Sequence, residues 1–296
     1  MNNKLKAVCF GEVLFDNFPT HSKIGGAPLN VSSRLRSLGT EVSVISAVGT
    51  DVKGKRIIKY LQESKIDTSG ILVKNDYPTG EVNVVLNDKG IASYDITYPA
   101  AWDKISISNN HVSLVQKCDI FVYGSLICRD SISRSALELL LANAKYKVFD
   151  VNLRAPHYTN KLLVELMEKA NFIKFNDDEL FEIAEHLGSK YNSMEQTIEF
   201  VAEITTTDTI CVTKGAYGAI LYTNKKFYYN SGYRVKVLDT VGSGDSFLAS
   251  VLYKLFTNAG FQEAIDFGCA VGAMVACNEG ANPVLTEKKI AKFMNP

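Results

Sequence analysis

A chain of 296 residues with 46% hydrophobic content and seven prolines is long enough to bury one large α/β core with room for a small appendage, and its composition excludes disorder. Lysine plus arginine and aspartate plus glutamate both total 32; with no basic run to track a phosphate backbone or a lipid surface, small-molecule chemistry fits better than nucleic-acid or acidic-membrane binding. Six cysteines, at 9, 118, 128, 211, 269 and 277, scatter without a CxxC pair and mostly inside apolar segments, the pattern of reduced core thiols in a cytosolic protein.

An apolar run at 7–11 opens the pattern. The stretch from Leu5 is short and meets Glu12 and Asp16, so no signal peptide is expected, and no later run approaches the ~20 apolar residues of a membrane span. Next comes Gly25-Gly26-Ala27-Pro28-Leu29-Asn30. Two glycines allow close backbone approach, Asn30 offers donor and acceptor to a polyhydroxy ligand, and Asp16 upstream can accept hydroxyl protons. The plain alternatives are a solvated loop acid and a helix-start asparagine. Apolar segments follow at 29–38, 42–48 and 57–61. Between the last two, Gly49 to Arg56 fits a P-loop until its final residue, where Arg56 replaces the hydroxyl that binds magnesium; a structural turn into the helix of Ile57, Ile58 and Leu61 is expected instead.

The rhythm breaks at 81–86 and 91–98, two strand-like runs joined by Asn87-Asp88-Lys89-Gly90, a hairpin signal. With the polar segment 15–23 they predict a small sheet standing off the main domain, to serve as a lid or a dimer contact, or else an ordinary edge hairpin. Alternation resumes at 120–123, 136–141 and 148–151. At that strand end Asp150-Val151-Asn152-Leu153-Arg154 presents an arginine fork suited to phosphate or sugar oxygens, with an ordinary surface arginine as the alternative. After a strand at 172–175, Asn176-Asp177-Asp178-Glu179 brings hard oxygen ligands to a strand end. Magnesium held through waters fits there, and so does an N-cap asparagine followed by first-turn acids. A helical segment at 180–187 and a strand at 210–213 lead to Thr213-Lys214-Gly215-Ala216-Tyr217-Gly218, where Lys214 suits a nucleotide phosphate and the glycines suit a tight turn between strands. Helical stretches at 246–257 and 263–278 complete an alternation that implies a mainly parallel sheet sandwiched by helices. The histidines at 21, 111, 157 and 186 show no spacing for zinc.

The segment Asp239-Thr240-Val241-Gly242-Ser243-Gly244-Asp245 sets a carboxylate just behind a small-residue loop that runs into a helix. Unpaired first-turn amides, glycines that leave room for a close ligand and the helix dipole together stabilise a phosphoryl group. A carboxylate there repels phosphate unless a hydroxyl lies between them, which is the position of a general base for hydroxyl attack. The plain alternative is a first-turn acid favoured by the dipole. A dinucleotide fingerprint needs glycine at 247, where Phe247 stands.

Together these strings resemble the PfkB, or ribokinase-like, family of sugar kinases over nearly the whole chain. The family's late signature D-T-x-G-A-G-D is matched by Asp239 to Asp245 except that Ser243 replaces the usual alanine. The early G-G-x-x-x-N segment matches at Gly25, Gly26 and Asn30, the N-x-x-E magnesium motif at Asn176 and Glu179, and G-x-D-x-x-G at Gly49, Asp51 and Gly54. The resemblance implies a single ribokinase-like α/β domain over 1–296, with a small antiparallel β lid inserted from 12–24 and 79–101.

The resemblance also implies an ATP-dependent phosphotransferase in which Asp245 takes the proton of a sugar hydroxyl attacking the γ-phosphate. Gly242, Ser243 and Gly244 would form the anion hole, and magnesium near Asn176 and Glu179 would bridge phosphate oxygens. Asp16, Gly26 and Asn30 would bind the sugar; Arg154 would sit near the transferred phosphoryl group or the sugar. Lys214 and Gly215 would lie near the nucleotide, and the helix ending at Asn278 would wall the adenine. Potassium is a further option beside the anion hole, at Asp239 and Val241. Gly-Gly-Ala-Pro-Leu-Asn and Asp-Val-Asn-Leu-Arg resemble the fructokinase branch, which makes fructose the first expected acceptor and fructose 6-phosphate the product. Ribose, 2-keto-3-deoxygluconate and other furanose or ketose acceptors stay open, because one exchanged lid side chain redirects a hydroxyl contact. A homodimer through the lid is the assembly such a sheet suggests. Two readings of other classes stand beside this one: a non-catalytic sugar or nucleotide sensor, expected to have lost the base, and a nicotinamide-dependent redox enzyme, which lacks its third glycine.

Overall fold

Continuous apolar runs make strands that are buried on both faces, and apolar residues at helical spacing make the layers that cover them. The computed structural model, which describes residues 4–18, 20–86 and 92–295, has this arrangement. Its first half comprises β1 (Lys6–Phe10), β2 (Leu14–Asn17), β3 (Ser22–Gly25), α1 (Ala27–Ser37), β4 (Glu41–Gly49), α2 (Val52–Glu63), β5 (Asp67–Lys74), β6 (Gly80–Leu86), β7 (Ala92–Ile96) and α3 (Asn109–Lys117). Next come β8 (Ile120–Gly124), α4 (Ser131–Leu141), β9 (Lys147–Asp150), α5 (Asn160–Met167), β10 (Phe172–Asn176), α6 (Asp177–His186) and α7 (Met194–Thr205). The chain finishes with β11 (Thr209–Thr213), β12 (Ala219–Thr223), β13 (Lys226–Asn230), α8 (Ser243–Phe256), α9 (Phe261–Ala276) and α10 (Glu287–Met294).

Nine strands form the main sheet in the order β13-β12-β11-β10-β9-β8-β1-β4-β5. From β5 to β11 every pairing is parallel, while β12 and β13 pair antiparallel at one edge. The chain leaves β1 toward β4 and β5, then crosses back to β8 and steps outward. The order therefore reverses between β1 and β8, and in open α/β sheets that reversal places a ligand crevice at the carboxyl ends of the strands.

Helices α3 to α7 cover one face, over a core that includes Phe10, Trp102, Phe121, Tyr123 and Phe149. On the other face α1, α2, α8 and α9 bury Leu29, Leu35, Phe247, Leu248 and Val251. Each such side chain contributes about 1.5–3 kcal/mol when fully removed from water. Five of the six cysteines are buried and all are free thiols, as their apolar settings predict. Among the described residues no helix is long and apolar enough to cross a membrane.

Four strands, in the order β3-β2-β6-β7, form the second, smaller sheet, which joins the polar segment after β1 to the predicted hairpin. Residues 87–91, which carry the predicted turn, lie outside the described residues. Two antiparallel pairs, β2 with β3 and β6 with β7, meet through a parallel contact between β2 and β6. That contact can be parallel because the β4–β5 unit intervenes in the chain and supplies the crossover. The turn that mimics a P-loop supports this region. Asp51 caps α2 by accepting from Gly54 N at 2.8 Å, and it also accepts from the amide and hydroxyl of Thr79, just ahead of β6. A carboxylate so placed makes the turn structural. Arg129 fixes the far end, donating to the carbonyls of Ile96 and Thr97 and pairing with buried Asp103 at 2.7 Å.

Candidate active site

Glu12, Ala27, Pro28, Tyr123, Asp150 and Asn152 wall the crevice at the strand-order reversal. Helix α8 points its first turn into the same region. Its N-cap, Gly242, has a φ of 74°, and a side chain there would collide with Ala281, so glycine is what lets the chain turn without strain. Ser243 donates its amide to Thr240 O at 3.2 Å and its hydroxyl to the Gly272 carbonyl at 2.8 Å. The serine therefore docks α8 onto α9, and its amide is already engaged. The amides of Gly244 and Asp245 remain as first-turn donors without intrahelical acceptors. With the helix dipole they make an anion-binding turn.

The Asp245 carboxylate is held from α1. Its Oδ2 accepts from Asn30 Nδ2 at 2.8 Å, and Asn30 Oδ1 accepts from Asn282 Nδ2 at 3.0 Å. One helical turn on, buried Arg34 donates to Ser246 Oγ at 3.2 Å and to the Pro283 carbonyl at 3.1 Å. Burial pulls the Arg34 pKa down to about 10, which leaves it charged at neutral pH. Asn30 and Arg34, an i,i+4 pair on one helix face, thus lock the glycine-loop helix to the anion-binding helix. Burial and then the Asp150 charge raise the Asp245 carboxyl above its ordinary range, while the Asn30 amide, Lys174 and Arg154 pull it back. An acid tuned toward neutrality beside an anion site has the properties of a general base.

The residues expected to bind a sugar lie on β2, at the end of β3 and at the start of α1. Gly25 lies so close to the Asp16 carboxylate that a side chain would strike it, and Gly26, at φ 111°, packs against the Glu12 carbonyl. Burial raises the Asp16 carboxyl, against Arg154 and Lys23. Arg154 itself is exposed, with Nη1 on the Leu153 carbonyl at 2.8 Å, and its charge reaches Glu12, Asp16 and Asp245.

Sequence patterns did not single out Glu12 as a site residue. It is 5% exposed, accepts from Ala27 N at 3.2 Å, and is pushed up to about 7 chiefly by burial. An acid directly after an apolar strand was the available signal.

Asn176 and Glu179 form a reciprocal capping box on α6. Asn176 Oδ1 accepts from Glu179 N, and Glu179 Oε2 accepts from Asn176 N, both at 2.8 Å. Glu179 Oε1 accepts from Leu153 N at 2.9 Å, so the cap also braces the loop that carries Arg154. Both carboxylate oxygens are engaged, and among the described residues no three acid, histidine or cysteine side chains converge as a metal site. The donor set fits a metal delivered on a nucleotide and reached through its waters.

Asp239 accepts from Val241 N at 3.0 Å, from Gly280 N at 2.9 Å and from Lys23 Nζ at 3.3 Å. Burial alone would raise its pKa, but these partners lower it. Lys214 and Gly215 lie in the tight turn between β11 and β12, where Lys214 N donates to Gly218 O at 2.7 Å. Asn278 follows α9 and donates to the Met274 carbonyl at 2.7 Å. The Lys214 charge acts on Cys269 of α9, and Asn278 follows the Ala276 carbonyl that accepts from the amides of Leu238 and Asp239.

Residues 2–288 match the model of the pfkB family carbohydrate kinases. The chain belongs to this family. Among curated relatives of the carbohydrate kinase, a probable fructokinase-5 of Arabidopsis thaliana is 27% identical over 96% of this chain and 95% of its own length. Among solved structures, fructokinase from Vibrio cholerae O395 with fructose, ADP and calcium ion bound has a TM-score of 0.84 at 22% identity, covering 98% of this chain and 99% of that one. An aminoimidazole riboside kinase from Salmonella enterica, bound to its riboside and an ATP analogue, has a TM-score of 0.82 at 22% identity, over 98% and 100% of the two chains.

Proposed function

We propose that this sugar kinase transfers the γ-phosphate of ATP to the 6-hydroxyl of fructose, with Asp245 as the general base. The observation that carries the reading is the position of the Asp245 carboxylate. It stands at the first turn of an anion-binding helix and is fixed at 2.8 Å by an asparagine of the glycine-loop helix, so the sugar loop and the phosphate turn share one acid. As the acceptor oxygen bonds to the γ-phosphorus, its proton passes to the Asp245 carboxylate. The bond from the γ-phosphorus to the β–γ bridging oxygen breaks, and ADP leaves with that electron pair. The Gly244 and Asp245 amides, next to Gly242 and Ser243, stabilise the charge on the transferred group.

Asp16, Gly26 and Asn30 orient the sugar, and Arg154 supplies a positive charge at the shared acid. Lys214, Gly215 and Asn278 take the nucleotide side. Asn176 and Glu179 would hold, through water, a magnesium ion carried on ATP, which would neutralise the phosphate oxygens. At the proposed potassium position, the Asp239 carboxylate already receives two amides and the Lys23 ammonium, so any monovalent cation competes with Lys23. Fructose is favoured by the fructokinase relatives and by the strings at 25–30 and 150–154.

The test is ADP release from Mg-ATP with fructose, ribose, 2-keto-3-deoxygluconate and aminoimidazole riboside as acceptors. Fructose should give the highest kcat/KM. A different dominant acceptor would keep the mechanism and discard the fructose assignment, whereas no turnover with any acceptor would count against the base assignment as well.

A further inference from the structure

Lysine is almost never buried unless it is paired, yet Lys174 sits midway along strand β10 at 6% exposure. Its Nζ lies 3.1 Å from Asp150 Oδ1, across the β9–β10 register. The other carboxylate oxygen, Asp150 Oδ2, is buried and has no hydrogen-bond partner among the described residues. Asp150 also lines the crevice, so one carboxylate oxygen of the pair is left without a protein donor beside it. The same ammonium reaches α8: a side chain at Gly244 would stand 3.5 Å from Lys174 Nζ.

Three acids act on this ammonium, Asp150 on β9, Glu179 on α6 and Asp245 on α8, with the thiol of Cys211 on β11 close enough to feel its charge. Arg154 and Glu12 also act around Asp245, and Arg34 binds its neighbour Ser246 from α1. Without Lys174, Asp245 would share this space with two other acids and an incoming polyphosphate, and proton acceptance needs it ionised.

We propose that Lys174 is a positioning residue for phosphoryl transfer, its ammonium pinned by Asp150 behind the first turn of α8 so that the Asp245 carboxylate stays charged and in place. The inference rests on the kinase reading above. Lys174 keeps its own protons throughout; the acceptor's proton goes to Asp245.

The experiment compares Lys174→Met and Asp150→Asn with wild type in two readouts. One is the pH profile of kcat with Mg-ATP and the best acceptor. The other is the titration of the Asp245 carboxyl carbon by 13C NMR in the ligand-free protein, assigned with Asp245→Asn. Loss of an opposite charge at this range moves a carboxyl pKa up by about one to three pH units. Lys174→Met should therefore shift both the acid limb of kcat and the carbon titration upward by that much, with at least a tenfold loss of kcat at neutral pH and a smaller change in KM. Asp150→Asn removes a like charge, leaves a carbonyl acceptor for Lys174, and should shift both downward. A structural role would lower activity at every pH without moving either midpoint in opposite directions. Unmoved midpoints, or midpoints that move the same way in both variants, overturn the proposal. If Lys174→Met does not fold, the direction of the Asp150→Asn shift decides alone. Should the wild type phosphorylate no acceptor, the kinase mechanism fails while the carbon titration still decides this inference.

Discussion

At the scale of single residues the site is an arrangement of acids whose burial matters as much as their identity. Glu12 is the clearest case. Its folded pKa of about 7 stands above the ordinary 4.5, so between those values the folded protein binds a proton that the unfolded chain releases. Stability then falls as pH rises through that window and levels off above it. Glu12→Gln keeps an acceptor for Ala27 N and removes the titration. The variant should gain stability relative to wild type at pH 8 compared with pH 5, by at most about 3 kcal/mol, read from urea unfolding at the two pH values; an equal difference at both would contradict the assignment. Neither Glu12 nor Lys174 was legible as a site residue in the sequence. One looked like an acid ending an apolar run and the other like a polar interruption of a strand, and only the fold turns them toward Asp245. Asp245 and Asn30 were legible as candidates because glycines and chemistry-bearing side chains share a short string. That Asn30 bonds to Asp245 across 215 residues was not.

Elements were legible where burial is two-sided or the period is helical. β1, β4, β8 and β10 are nearly continuous apolar runs and form the centre of the sheet. The edge strand β13 runs Lys-Phe-Tyr-Tyr-Asn without a period of two in a half-exposed setting, and α7 mixes acids with its apolar face; neither pattern stands out from a loop. At Asn176 to Glu179 the string allowed a cap and a metal motif, and the geometry realises the cap. Asn176→Ala removes the acceptor for Glu179 N and should cost about 1 kcal/mol of unfolding free energy. Because the box also braces Leu153, a rise in the apparent KM for Mg-ATP beyond that of a purely structural change would mark the water-mediated metal role. An unchanged magnesium dependence would leave the cap as the residue's whole contribution.

At the scale of the whole molecule, the small sheet reaches the loop ahead of α8 through the Lys23–Asp239 contact at 3.3 Å. That ion pair is partly exposed and worth no more than about 1 kcal/mol, weak enough to open and close, which suits a lid. Its existence was readable from a break in the alternation, whereas the parallel β2–β6 junction was not, since strand order depends on contacts far apart in sequence. If the sheet closes over bound sugar, amides of 14–17 and 22–25 should exchange more slowly with fructose and a non-hydrolysable ATP analogue than without ligand; unchanged exchange would argue for a static edge. The account stands most directly on one comparison, wild type against Asp245→Asn in turnover of Mg-ATP with fructose, alongside fructose binding by calorimetry. The expected result is fructose 6-phosphate from the wild type, a loss of kcat of about 10²–10⁴-fold in the variant, and near-equal affinity for the sugar. A variant that retains near-wild-type kcat would contradict the central claim that Asp245 takes the proton.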